Sequence, residues 1–114
     1  MKKKVFRIKI LILFVTVCCC NNLYSLALSS VFHEILKLER QAKVFLSGEV
    51  KDYSHIASLY EQAGNLSLPF SLEQDRFFAL AGKFYFEDKK PDSLKKSFEL
   101  CDNVVSDLKT KKEQ

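Results

Sequence analysis

The segment FALAGKFYFEDKKPDSLKKSFELC, residues 78–101, decides the fold of this chain. Its apolar residues recur at steps of three and four on both sides of a charged stretch, residues 87–92. Such steps are typical of α-helices that bury one face. Pro91 can begin a helix but cannot continue one, so the charged stretch is predicted to be a turn. The segment therefore predicts a helical hairpin.

A preceding pair of helices is predicted from the residues before this segment. Apolar residues recur at helical steps over residues 29–47, and Gly48 is expected to end that helix. Asp52 suits the N-cap of a second helix, and Ser71 with Gln74 fits the capping box of a third. We therefore expect an all-α fold in which four helices form two antiparallel helix-turn-helix hairpins.

The sequence also predicts where the later helices end and which faces they bury. The pair Gly64–Asn65 is expected to end the second helix. The third helix is expected to bury Phe77, Leu80, Ala81 and Phe84. The fourth is expected to bury Leu94, Phe98, Cys101, Val105 and Leu108. The polar, basic tail KTKKEQ, residues 109–114, is expected to fray.

This spacing resembles that of the tetratricopeptide repeat (TPR), a 34-residue pair of antiparallel helices. Counted over residues 75–108, the positions at which the two helices of a repeat pack are Phe78, Ala81, Gly82, Tyr85, Leu94, Phe98 and Cys101. Leu94 and Cys101 stand where the family usually has Ala, and Ser106 stands where it often has Pro. Residues 36–63 match a preceding repeat less closely. The alternative is a plain four-helix bundle, since unrelated bundles reuse these spacings.

The first 20 residues, MKKKVFRIKILILFVTVCCC, have the organisation of a signal peptide. A cationic start precedes an apolar run, residues 10–20, which is shorter than the roughly 20 residues that span a bilayer. We expect residues 1–20 to direct export, residues 21–28 to form a short linker and residues 29–114 to form the TPR-like helical domain.

Two cleavage sites follow the apolar run. Val17-Cys18-Cys19-Cys20 resembles a bacterial lipoprotein box, although the family prefers Gly, Ala or Ser just before the lipidated cysteine and Leu three residues before it. The resemblance implies a lipid anchor on Cys20, with Cys18 and Cys19 as less favoured candidates, and a place in the bacterial periplasm or on a membrane of the cell envelope. The alternative site, Ser25-Leu26-Ala27, suits an ordinary signal peptidase and would release a soluble protein.

The charge of the chain gives no reason to expect a nucleic-acid partner. The formal net charge is +4, but five of the basic residues lie within the first nine positions. From Asn21 onward, 13 basic residues face 14 acidic ones. A nearly neutral domain lacks the basic patch that binds a phosphate backbone, so we expect no nucleic acid to bind.

No group of residues in the sequence suits catalysis or the binding of a cofactor or metal. The stretch HEILK, residues 33–37, begins like the zinc motif H-E-x-x-H, but Lys37 replaces the second histidine. His55 is isolated in the sequence, and three glycines do not form a phosphate-binding loop. With either cleavage site only Cys101 certainly remains in the folded part, so no internal disulfide is expected. We expect a protein that is not an enzyme.

Two functions are therefore compared. The repeat resemblance implies an adaptor that binds an envelope protein or peptide, with exposed residues of the first helix of the repeat, such as Arg76, Lys83 and Glu87, as contact candidates. The alternative is a structural or surface-antigen lipoprotein that forms homo-oligomers and has no dedicated ligand groove. A third hypothesis is a shortened relative of a longer repeat protein.

Overall fold

The computed structural model describes the backbone of residues 2–113 and the side chains of Lys9, Ile12, Leu13 and residues 27–113. Across residues 2–113 the chain forms four α-helices and no strand. The helices are α1 (Lys2–Leu46), α2 (Tyr53–Leu66), α3 (Leu72–Asp88) and α4 (Pro91–Glu113). The predicted all-α class is confirmed.

The chain divides into two compact units, Met1–His33 and Glu34–Gln114. The predicted signal peptide and linker both fall within α1, and their identities remain predictions. The side chains of Cys18, Cys19 and Cys20 lie outside the residues that the structure describes. Among the described side chains, no helix combines the length and the apolar character needed to cross a membrane.

The predicted N-caps of α2 and α3 are both present. Asp52 accepts a hydrogen bond on Oδ1 from the backbone N–H of His55 at 3.2 Å, and Ser71 Oγ accepts one from the N–H of Gln74 at 3.1 Å. The Gln74 side chain closes the second cap by accepting from the N–H of Phe70 at 3.0 Å. Each cap satisfies backbone donors that a helix start leaves free.

Gln74 also joins the end of α2 to the start of α3, because its Nε2 donates to the backbone oxygen of Gly64 at 3.1 Å. At the other end of the pair, the rings of Tyr53 and Phe84 stack with centroids 6.3 Å apart. The end of α2 therefore lies beside the start of α3, and the start of α2 beside the end of α3, which shows that the two helices are antiparallel. The helix α2 runs two residues past Gly64 to Leu66, so the prediction that Gly64–Asn65 ends this helix was slightly early.

The core of the second unit lies between α1, α2 and α3. Its members are Leu38, Ala42, Ile56, Ala57, Leu59, Tyr60, Ala63, Phe77, Ala81, Phe84 and Tyr85. Phe77 and Ile56 are the largest side chains that are fully buried. The ring of Tyr60 stacks against Phe77 and Phe84 with centroids 6.4 and 5.7 Å apart. The predicted inner face of α3 is confirmed, with Leu80 at the edge of the core.

The predicted buried stripe of α4 was wrong at Phe98, Cys101, Val105 and Leu108. Phe98 and Val105 are 60% and 64% exposed. Cys101 and Leu108 are also exposed, and Leu94 is only half-buried. The less exposed residues lie one position earlier: Ser93, Ser97 and Val104 are buried and Leu100 is half-buried. One residue corresponds to about 100° on a helix, so the apolar stripe lies beside the contact with α3.

Small side chains explain this rotation of α4. Ser97 Oγ donates to the backbone oxygen of Gly82 at 2.7 Å, a contact that two large side chains would prevent. Ser93 Oγ donates to Asp88 Oδ2 at 2.6 Å across the turn. Buried hydroxyl groups are tolerated because both are hydrogen-bonded. The tail that was expected to fray is helical through Glu113.

Candidate functional site

The residues predicted to pack within the repeat divide into two groups. Ala81 and Tyr85 are buried, and the Tyr85 hydroxyl donates to Glu61 Oε2 at 3.0 Å. Burial raises the pKa of Tyr85 above its ordinary value, and the hydrogen bond to Glu61 adds to the effect. On α4, Leu94 is half-buried and Phe98 is exposed. These positions are therefore more buried on α3 than on α4.

Two glycines mark close approaches between helices. A Cβ atom on Gly82 would lie 2.8 Å from Cys101 Sγ, so the small position of the predicted repeat does face the second helix. A Cβ atom on Gly64 would lie 2.5 Å from the ring of Phe78. Real Cβ atoms do not approach other atoms this closely, so a larger residue at either position would force the Cys101 or Phe78 side chain to move.

A cavity of about 690 Å³ opens beside Phe78, between α3 and α4. We call it the α3–α4 groove. One wall consists of Phe70, Gln74, Asp75 and Phe78, and the facing wall is α4 from Asn103 to Lys111. Helical bundles commonly bind ligands in such spaces between helices.

The polar end of the α3–α4 groove is a cluster of two carboxylates and one ammonium. Lys111 Nζ donates to Asp75 Oδ2 at 2.8 Å and to Asp107 Oδ2 at 2.6 Å. The Asp75 side chain is only 9% exposed, whereas that of Lys111 is 31% exposed. Burial raises the pKa of Asp75, and the Lys111 hydrogen bond lowers the pKa of Asp107. The cluster has a formal charge of −1.

In the wall of the α3–α4 groove, Phe70 has an unusual backbone conformation. Its φ angle is +60°, in the left-handed region that a bulky side chain rarely adopts. The hydrogen bond from its N–H to Gln74 Oε1 holds it there. The ring is 74% exposed, so this conformation presents an aromatic surface to the solvent.

The exposed first-helix residues are mostly engaged in contacts of their own. Arg76 pairs with Glu73 at 2.7 Å and with Glu39 of α1 at 3.5 Å. Its guanidinium also lies 4.5 Å from the centroid of the Phe77 ring. Lys83 Nζ lies 5.4 Å from the centroid of the Phe84 ring. Glu87 is exposed.

The sequence did not identify the α3–α4 groove. The pair Asp107 and Lys111 has the i,i+4 spacing of a helical ion pair and could have been found. Asp75 lies 36 residues before Lys111, and its burial becomes visible only when α3 and α4 pack. Nothing in the sequence signals the positive φ angle of Phe70.

Among the described residues, no group of three or more His, Cys, Asp or Glu side chains is placed to hold a metal ion. His33 and His55 are both exposed, and the His55 ring meets Phe45 edge-on at 4.7 Å. In comparisons with known proteins, no family model, curated protein or solved structure matches this chain.

Proposed function

We propose that the chain is an exported, membrane-anchored protein with TPR-like helices that acts as a protein–protein interaction adaptor in the bacterial envelope. The observation that carries the proposal is the exposed apolar stripe of α4, with Phe98 at 60%, Val105 at 64% and Leu108 at 44% exposure. Large apolar side chains that share one helix face and avoid the core are typical of surfaces that bind another protein. The proposed partner is an envelope protein or peptide.

The contact between α1 and α3 supports a repeat-like arrangement. Glu39 and Arg76 join two helices that α2 separates along the chain. In stacked helical hairpins the first helices of successive repeats are neighbours, and the outer helix of the last repeat has one face without a neighbour. The stripe on α4 fits that last position, where a partner would complete the stack.

The proposed membrane attachment is a lipid on Cys20, with Cys18 and Cys19 as less favoured sites. It rests on the resemblance of residues 17–20 to a lipoprotein box. Cleavage after Ala27 instead would give a soluble exported protein. A mass spectrum of the mature native protein separates the two, because lipidation adds acyl chains to its first residue.

One observation favours the alternative of a self-associating structural or surface-antigen lipoprotein. The stripe residues Leu94, Phe98, Cys101, Val105 and Leu108 alternate steps of four and three. This is the spacing with which two helices pair in a coiled coil. Two copies of α4 would then cover each other, and the stripe would be an oligomer contact.

Crosslinking in intact native cells tests both functions. The full chain with a C-terminal tag is crosslinked, extracted in detergent and analysed by mass spectrometry. A crosslink from α4 to one reproducible envelope protein supports the adaptor, and crosslinks only between copies of the chain support the alternative. No α4 crosslink of either kind contradicts both.

A matched pair of variants makes this experiment specific. Phe98→Gln with Val105→Gln removes two residues of the stripe, and Val44→Gln with Val50→Gln removes two apolar side chains that are 68% and 92% exposed elsewhere. Only the first pair is expected to abolish the α4 crosslink. Equal loss in both pairs would mean that general hydrophobicity, not the α4 stripe, drives the association.

A further inference from the structure

We propose that the α3–α4 groove binds a basic side chain, arginine in the first place, presented by the partner protein. The inference rests on the proposed adaptor function, because it assigns a specific pocket to that function. The groove is separate from the α4 stripe, since its residues on α4 include Asn103, Asp107 and Lys111 and not Phe98 or Val105.

The charge of the groove selects a cation. Lys111 is shared between Asp75 and Asp107, so one ammonium faces two carboxylates. Each carboxylate uses Oδ2 for this contact, and a carboxylate accepts hydrogen bonds at both of its oxygens. A second cation would balance the remaining formal charge of −1. An incoming anion would instead have to compete with both carboxylates for Lys111.

The aromatic walls favour a guanidinium over a compact ammonium. Phe78 and Phe70 both line the groove, and Phe78 is half-buried whereas Phe70 is 74% exposed. A planar guanidinium stacks on aromatic rings and also binds a carboxylate through two parallel hydrogen bonds. Arg76 of this chain already combines an aromatic and an ionic contact, because it makes one hydrogen bond to Glu73 while lying over the Phe77 ring.

The volume of the groove and the backbone strain at Phe70 both support a binding site here. About 690 Å³ is ample for one long side chain and part of its backbone. The positive φ angle of Phe70 costs free energy, and Gln74 maintains it through one hydrogen bond. Residues held in such conformations cluster at binding sites, and here the strained residue lines the groove.

Titration of the isotope-labelled full chain in non-ionic detergent micelles tests the inference by NMR. The probe is acetyl-Gly-Gly-Arg-Gly-Gly-amide, and the matched control peptide carries citrulline, the neutral isostere of arginine. We expect the arginine peptide to shift the amide resonances of Phe70, Asn103 and Thr110 at millimolar concentration, and the citrulline peptide to have little effect. Equal shifts with both peptides, or none with either, would overturn the inference.

A matched pair of variants locates the site. Asp107→Asn removes one groove carboxylate, whereas Asp102→Asn removes an exposed carboxylate from the same helix outside the groove. The first is expected to weaken arginine binding at least about tenfold, the usual effect of losing a hydrogen bond between charged groups. The second should leave it unchanged. Equal weakening would mean that the charge of α4 as a whole attracts the peptide, which contradicts a built site.

The variant Lys111→Gln gives an effect of the opposite sign. It removes the cation that already occupies the carboxylates, so the arginine peptide is expected to bind more tightly than to the native chain. A folded variant with weakened binding would show that Lys111 itself contacts the ligand, and the assigned charge of the ligand would then be wrong. If Lys111→Gln does not fold, Asp107→Asn still decides the question.

Failure of this inference is distinguishable from failure of the adaptor function. A chain that still crosslinks to its envelope partner through α4 but ignores the arginine peptide would refute only the groove assignment. A chain that binds the peptide in the groove but makes no α4 crosslink would refute the α4 contact and leave the groove. Loss of the partner crosslink in Asp107→Asn, but not in Asp102→Asn, would support both.

Discussion

Gly64 and Phe78 show how a single residue fixes the distance between two helices. The ring of Phe78 lies where a side chain at position 64 would begin, and the same ring forms a wall of the α3–α4 groove. The sequence suggested a different role for Gly64, that of a helix end, because a glycine followed by Asn often stops a helix. The actual role depends on a ring from another helix, which no local pattern predicts.

Gly64→Ala is expected to destabilise the protein although alanine favours helix. The helix gains up to about 1 kcal/mol, but the new methyl group must displace the Phe78 ring, and overpacking of this kind costs about 1–3 kcal/mol. Urea unfolding followed by circular dichroism measures the net loss. Gly48→Ala serves as the control, since its nearest contact would be an ordinary 3.5 Å, and we expect it to change stability by less than about 0.5 kcal/mol.

A double-mutant cycle assigns this cost to the ring. In the background Phe78→Ala the atoms that oppose the methyl group are gone, so Gly64→Ala should no longer destabilise. If Gly64→Ala costs the same free energy in both backgrounds, the observed contact between Gly64 and Phe78 is not what limits this position.

At the scale of the helices, the N-caps of α2 and α3 were predicted correctly, but the buried face of α4 was not. Asp52 and Ser71 cap α2 and α3 as expected, because an N-cap is a contact between residues two or three apart. The face of α4 was misjudged because its most apolar stripe is exposed. Ser97 and Gly82 set the contact instead, and a pattern of apolar residues gives no weight to a serine that reaches a backbone oxygen.

The cap of α2 makes a pH-dependent prediction. The backbone N–H of His55 and then the Ser54 hydroxyl lower the pKa of Asp52, so the folded state favours its ionised form. The stability gained from this cap is therefore present above the unfolded pKa, about 3.9, and is lost as pH falls through the lower folded pKa. At neutral pH, Asp52→Ala should cost about 1 kcal/mol and Asp52→Asn much less.

Thermal or urea unfolding at several pH values measures both variants against the native chain. The cost of Asp52→Ala should shrink in acid, while Asp52→Asn, which accepts hydrogen bonds without titrating, should show a flatter pH profile than the native chain. A cost of Asp52→Ala that does not change with pH would mean that the ionised carboxylate contributes nothing to the cap.

The rotation of α4 predicts contrasting effects for two phenylalanines. Phe77 is fully buried, so Phe77→Ala should cost about 3–5 kcal/mol through lost burial and the cavity left behind. Phe98 is 60% exposed, so Phe98→Ala should cost less than about 1 kcal/mol. Urea unfolding of both variants measures these costs and shows whether the Phe98 face of α4 is exposed or buried. If Phe98→Ala lowers the free energy of unfolding about as much as Phe77→Ala, Phe98 must be buried and the exposed stripe on α4 is wrong.

At the scale of the second unit, stability is unevenly distributed. In the described part of the chain, the core cluster takes its members from α1, α2 and α3, and α4 adds only the half-buried Leu100 at its edge. Apart from the buried Val104, the helix α4 is held by the hydrogen bonds of Ser93 and Ser97 and by the Lys111 cluster. The all-α class was predictable because it depends on local periodicity, whereas this division depends on which helices meet and could not be predicted.

Native-state hydrogen exchange of the full chain should therefore detect α4 opening before the core. We expect the amides of α4 to exchange with a lower opening free energy than those of α2 and α3, because little apolar surface holds α4 in place. Lys111→Gln should lower the protection of α4 further and leave α2 unchanged, whereas Lys95→Gln, an exposed change on the same helix, should affect neither. Equal opening free energies in α3 and α4 would show that the two helices unfold as one unit. Binding of the proposed partner to the stripe would then have no weak helix to stabilise, and its affinity would come only from the contacts that it makes.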